Sequence, residues 1–187
     1  MKKISVLTSL LCIGLFFTIA SISSCVHDAC VARNIQCQNN GTCRDGNCLC
    51  PNGFEGDSCQ FKVNEKFAYN YKCIRTGFID DTIPDDNDDT LRVFTENDKF
   101  GILFYSIRDS EYYRVKATVN DNFVTIPSQD VTFKADSANI YNVNVSGSGS
   151  LVGDILTLTV NNKWFDNNLQ KDRHSKFTYA GSKYKKN

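Results

Sequence analysis

Between Cys30 and Cys59 the chain sets six cysteines at positions 30, 37, 43, 48, 50 and 59, and fills the gaps with asparagine, glycine and aspartate rather than apolar side chains. A segment of that composition cannot bury enough apolar surface to offset the entropy lost in ordering it. Crosslinks can, each contributing about 2–4 kcal/mol mainly by restricting the unfolded chain. Disulfides persist in oxidising compartments, so the cluster reads as part of an exported protein. Zinc is the competing use of clustered cysteines. Here the close pair is Cys48-x-Cys50 rather than repeated C-x2-C, and no histidine lies inside the cluster. Six cysteines allow fifteen pairings, and spacing alone selects none of them.

Local turn chemistry gives the segment a shape. Asp45-Gly46 is the dipeptide favoured by a two-residue hairpin whose central residues both need positive φ, so Thr42-Cys43 and Cys48-Leu49 read as paired short strands. Gly53 and Gly56 bracket a second tight turn that carries Phe54. The pattern C-x6-C-x5-C-x4-C-x-C-x8-C, with Asn40-Gly41-Thr42 before its third cysteine and Pro51-Asn52-Gly53-Phe54-Glu55-Gly56 after its fifth, resembles an EGF-like module. The short gap Arg44 to Asn47 is similar to the compact variety found in tenascins and teneurins. That resemblance implies pairing of Cys30 with Cys43, Cys37 with Cys48, and Cys50 with Cys59. Calcium-binding members carry acidic and amide ligands just before the first cysteine; Val26-His27-Asp28-Ala29 lacks them, so a module without calcium is expected.

Residues 1–24 begin with Met1-Lys2-Lys3, continue as an almost unbroken apolar run, and end in Ser21-Ile22-Ser23-Ser24, the charge, core and small-residue exit of a secretory signal. Ile22-Ser23-Ser24-Cys25 resembles a bacterial lipobox, which implies that Cys25 becomes the lipidated first residue of the mature chain, followed by a short linker over 25–29. Val26, in place of an aspartate, is similar to the pattern of lipoproteins sent to the outer membrane of Gram-negative cells. In the rival reading, a eukaryotic secreted protein, Cys25 pairs with Cys73.

The EGF-like region is taken as 30–61. From Lys62 to Asn187 the composition changes: Cys73 is the one cysteine, and aromatic and β-branched residues rise. Apolar or alternating runs occur at Phe67–Ile74, Thr90–Thr95, Phe100–Ile107, Tyr112–Val119, Phe123–Ile126, Val131–Lys134, Ile140–Ser146, Ile155–Val160 and Lys176–Tyr179. Asp-Asn, Ser-Gly and Asn-Asn pairs separate them, and no window sustains a 3.6-residue period. The expected fold class is mainly β: an EGF-like module, then eight or nine short antiparallel strands closed as a barrel in preference to a stacked sandwich. The C-terminal stretch Gly147–Val160 with Lys176–Gly181 resembles the last strands of bacterial lipocalin-like lipoprotein domains. Alternation of Phe67, Tyr69, Tyr71 and Cys73 puts the Cys73 sulfur on an apolar face.

Chemistry is sparse. The two histidines, His27 and His174, sit in no catalytic motif, and His174 beside Asp172 reads as a polar loop residue, so no enzyme and no cofactor are expected. Six aspartates fall between Asp80 and Asp89; Asp85, Asn87 and Asp89 occupy the first, third and fifth places of an EF-hand-like loop with Glu96 at the twelfth, which makes them the metal-ligating candidates. Thr90 replaces the required glycine and a strand follows, so a solvated acidic loop is expected instead. With 21 Lys plus Arg against 21 Asp plus Glu, the chain lacks the basic excess of a nucleic-acid binder. These observations combine into an expected lipid-anchored outer-membrane protein whose β domain is a non-catalytic binding or adhesion module toward a protein or glycan. The alternative is a carrier of a small apolar ligand.

Overall fold

The computed structural model describes residues 29–106, 114–134 and 140–186. Cys25, His27 and the leader lie outside them. The first described element is one helical turn, α1 (Ala29–Ala32), followed by two small hairpins: β1 (Thr42–Arg44) with β2 (Asn47–Leu49), and β3 (Phe54–Glu55) with β4 (Phe61–Lys62). Asp45 at φ 51° and Gly46 at φ 82° close the first hairpin in the left-handed geometry that the dipeptide demands. The disulfides are Cys30–Cys43, Cys37–Cys48 and Cys50–Cys59, the pairing implied by the EGF-like resemblance.

A single 3-10 turn (Glu65–Phe67) leads into the larger sheet: β5 (Tyr69–Ile79), the two-residue β6 (Ile83–Pro84), β7 (Asn87–Thr95), β8 (Gly101–Ser106), β9 (Val115–Asn120), β10 (Phe123–Lys134), β11 (Ile140–Val152), β12 (Ile155–Asp166) and β13 (Lys171–Lys186). Each long strand pairs antiparallel with its successor, and β13 returns to β5 from Tyr69↔Lys186 to Ile79↔Ser175. Eight strands therefore close an up-and-down barrel, with β6 as a short flap on the end of β5. The barrel rather than the sandwich is the outcome because β13 covers the edge that β5 would otherwise expose.

The strands are longer than their turn signals suggest. Phe123–Ile126 and Val131–Lys134 belong to one strand, β10, whose register against β11 shifts between Ile126 and Gln129. Pro127 sits in that shift, where its missing N–H costs no ladder bond. Beyond Thr125 the main-chain pairing of β10 with β9 stops, and the Gln129 amide takes over, accepting from Lys116 N at 3.1 Å and donating to Lys116 O at 2.7 Å. Ser146-Gly147-Ser148-Gly149 and Asn161-Asn162 are likewise interior to β11 and β12, not turns. Glycine serves close approach there: a Cβ at Gly149 would fall 2.2 Å from Thr157 O on the facing strand.

Inward-pointing aliphatic and aromatic side chains fill the barrel through most of its length, among them Tyr71, Leu91, Val93, Ile102, Val119 and Leu158. Cys73 is a reduced, buried member of this core. Phe67 plugs the end nearest the EGF-like module, with its carbonyl accepting from the Tyr71 hydroxyl at 3.1 Å. The module docks on the β7–β8 turn at that same end. Lys62 Nζ donates to Asn97 O (3.2 Å), Lys99 Nζ donates to Asn52 O (3.3 Å) and lies 4.6 Å from the Phe54 ring, and Lys66 pairs with Glu55 at 2.7 Å. Fully buried Asn64 fixes the turn by donating to Asp98 O and Gly101 O.

Candidate functional site

At the opposite end the described residues leave the barrel unfilled. Strand alternation carries the reason: along β12 the inward series runs Leu156, Leu158, Val160 and then Asn162, Trp164, Asp166, and along β13 it runs Tyr179, Phe177, Ser175, Arg173. Along β5 the core residues Tyr71 and Cys73 are followed by Arg75. The inward face thus changes from aliphatic to aromatic and polar over the last two turns of the pleat. It encloses a cavity of about 300 Å³, whose apolar wall is Ile79, Phe133, Tyr141, Val143, Trp164 and Phe177. That volume is at the lower end of the range for small-molecule sites, and a barrel mouth is a usual place for one.

Two guanidinium groups define the polar wall. Arg75, with its side chain only 5% exposed, donates from Nη2 to Asp85 Oδ2 at 2.7 Å and lies 4.6 Å above the Phe177 ring. Arg173 donates from Nε to Asp80 Oδ2 at 3.0 Å, approaches Asp166 Oδ2 at 3.6 Å, and lies 5.6 Å from the Trp164 ring. Each planar cation is therefore held between a carboxylate and an aromatic face, the arrangement for which arginine suits better than lysine. Between them Asn162 Nδ2 donates to Ser175 Oγ at 3.0 Å.

The carboxylates are fixed from behind. Asp166 accepts from the main-chain N–H groups of Leu169 and Asn168 in the β12–β13 turn, and these bonds, with the Leu169 bond foremost and Arg173 adding to them, hold its carboxyl below the ordinary aspartate value. Asp80 is lowered in the same direction, first by the His174 N–H and then by Arg173 and Lys171. In the core, burial pushes the Cys73 thiol up to about 11, which makes it a poor nucleophile.

The acidic run Asp80–Asp89 is only in part the solvated loop expected from sequence: Asp81, Asp86 and Asp88 are exposed, but the rest is engaged by the barrel. Its second half enters β7, Asp89 is buried, and Ser106 Oγ donates to Asp89 Oδ2 at 2.5 Å. The metal-ligating candidates disperse rather than converge: Asp85 engages Arg75, Asn87 donates its amide to Asp85, and Asp89 engages Ser106 and Thr90 N. Glu96 lies beyond the far end of β7, roughly 20 Å along an extended strand from Asp89. Among the described residues no three histidine, cysteine, aspartate or glutamate side chains come together for a metal ion. His174 lies on β13 rather than in a loop. It is half-exposed, with Nε2 3.1 Å from Asp81 Oδ2, and it does not line the cavity.

The cavity residues Arg75, Arg173, Asp166 and Trp164 carry no local motif. The usable signal was the period-2 continuation of Leu156, Leu158 and Val160 into Asn162, Trp164 and Asp166, polar groups placed in line with a core face. Comparison with known proteins bears on the cysteine-rich segment instead. Residues 30–59 match the EGF-like domain. No curated protein and no solved structure matches the chain significantly.

Proposed function

We propose that the barrel is a non-catalytic carrier of a small, partly apolar ligand, lipocalin-like in how it binds at its mouth, with the EGF-like module as a spacer between it and a lipid anchor on Cys25 at an outer membrane. The observation that supports the carrier reading over surface adhesion is the cavity of about 300 Å³ at the barrel end opposite the module. Among the described residues its lining includes no histidine or cysteine, and Asp85 and Asp166 already face arginines, which favours enclosure over acid–base chemistry. Support for the anchor is the sequence Ile22-Ser23-Ser24-Cys25 behind a complete signal.

An uncharged apolar reporter such as phenylnaphthylamine should quench Trp164, the one tryptophan, in a saturable way. Val143→Phe, which pushes a ring into the cavity, should abolish that quenching while the far-ultraviolet circular dichroism stays unchanged. Absence of saturable quenching in the wild type would return the reading to surface contact. For the anchor, palmitate labelling should be present in the wild type and absent in Cys25→Ser; label retained by the variant removes the lipobox.

A further inference from the structure

Resting on the carrier reading, we infer that the cavity selects a molecule of no net charge: a ring-sized apolar body ending in an amide- or hydroxyl-type group that both donates and accepts. Among the described residues each cation of the polar wall faces a carboxylate. Arg75 faces Asp85 at 2.7 Å, and Arg173 faces Asp166 at 3.6 Å with Asp80 behind it at 3.0 Å. A ligand carboxylate drawn to Arg75 meets the Asp85 carboxylate beside it, and a ligand ammonium drawn to Asp166 meets Arg173. Attraction and repulsion then nearly offset, and the cost of taking the ligand's charge out of water remains.

A neutral polar group meets no such opposition. Asn87 donates to Asp85 Oδ1, and Asn168 and Leu169 donate to Asp166 Oδ1, but each Oδ2 has a lone pair beyond the one its arginine uses, and Ser175, whose Oγ accepts from Asn162, keeps its hydroxyl hydrogen to donate. Tyr141 adds a phenolic hydroxyl to the same lining. The rings of Trp164, Phe133 and Tyr141 supply faces for a flat apolar body. Asp85 contributes to this selectivity: it reaches Arg75 from the β6–β7 connection, whereas Arg75 is buried on β5, so the cation is fixed and the Asp85 carboxylate beside it opposes a ligand anion.

The test uses three ligands with one body: phenylpropionamide, phenylpropionate and phenylpropylamine, titrated into the full chain by Trp164 fluorescence and by calorimetry. The amide should bind at least about tenfold more tightly than either charged relative. Asp85→Asn should invert the order in favour of the carboxylate, because it removes the negative charge that stands 2.7 Å from Arg75 in the lining. Tightest binding of the carboxylate or the amine to the wild type, or an unchanged order in Asp85→Asn, overturns the neutral-ligand inference and leaves the carrier reading standing. If none of the three binds and phenylnaphthylamine also fails, both are overturned.

Discussion

The EGF-like module and the barrel solve one problem by different means. Between Cys30 and Cys59 the only buried residues are Gly46, Gly53 and disulfide-bonded Cys59, so there is no apolar core and three crosslinks limit the unfolded chain instead. The barrel holds a continuous cluster of buried apolar side chains and no disulfide among its described residues; its one cysteine, Cys73, serves as a small hydrophobe. The same residue type is thus a covalent strut in one region and a packing unit in the other. What decides is whether the surrounding sequence can exclude water.

Reduction tests that contrast with the largest expected effect. With its bridges opened, the module should lose its fold entirely and become protease-sensitive between Cys30 and Lys62, while the β signal of the barrel persists. Coincident loss of both would show that the junction at Lys99 and Phe54 carries more stability than cation–π and surface hydrogen bonds ordinarily supply. Leu158→Ala is the converse perturbation. Removing a fully buried core side chain should lower barrel stability by about 2–5 kcal/mol. The denaturant midpoint of the barrel should shift equally under oxidising and reducing conditions, and a shift present only when oxidised would contradict the division.

Acid should act on the barrel mouth and, at the other end, on the β7–β8 turn, where the Gly101 and Phe100 N–H groups hold the Asp98 carboxyl below its ordinary value. Asp80 and Asp166 have carboxyls depressed below the ordinary value of about 3.9, so their stabilisation is present above that value and is lost as the pH falls through the depressed ones. Ligand binding and Trp164 emission should change in that acid range before the disulfide-held module does, and Asp166→Asn should weaken the pH response of the emission. The smallest effect belongs to the junction. Lys99→Ala should cost about 0.5–1 kcal/mol and leave ligand affinity unchanged, as read from the thermal midpoint and the Trp164 titration.

Much of this was legible in the sequence, but unevenly. The cysteine spacing and Asp45-Gly46 speak locally, and their structure is local. Strand content was legible from β-branched and aromatic runs, yet Ser146–Gly149 and Asn161-Asn162 read as turns because glycine and asparagine usually mark them. In the barrel glycine permits close strand approach, while Asn162 faces a polar cavity. The site itself was not legible, since Arg75 meets Asp85 across a turn and Arg173 meets Asp80 from 93 residues away, pairings that only strand register creates.

The seam between β5 and β13 also sets a timetable. The first barrel strand borders the last, so as the chain emerges from a ribosome or a translocation pore, β5 must wait for everything up to Lys186 before its second edge is covered. The module's pairs, at most 13 residues apart, face no such delay. The module can be finished while the barrel is still an open sheet, and the interval between the two is when the barrel's exposed edge most needs protection from neighbouring chains.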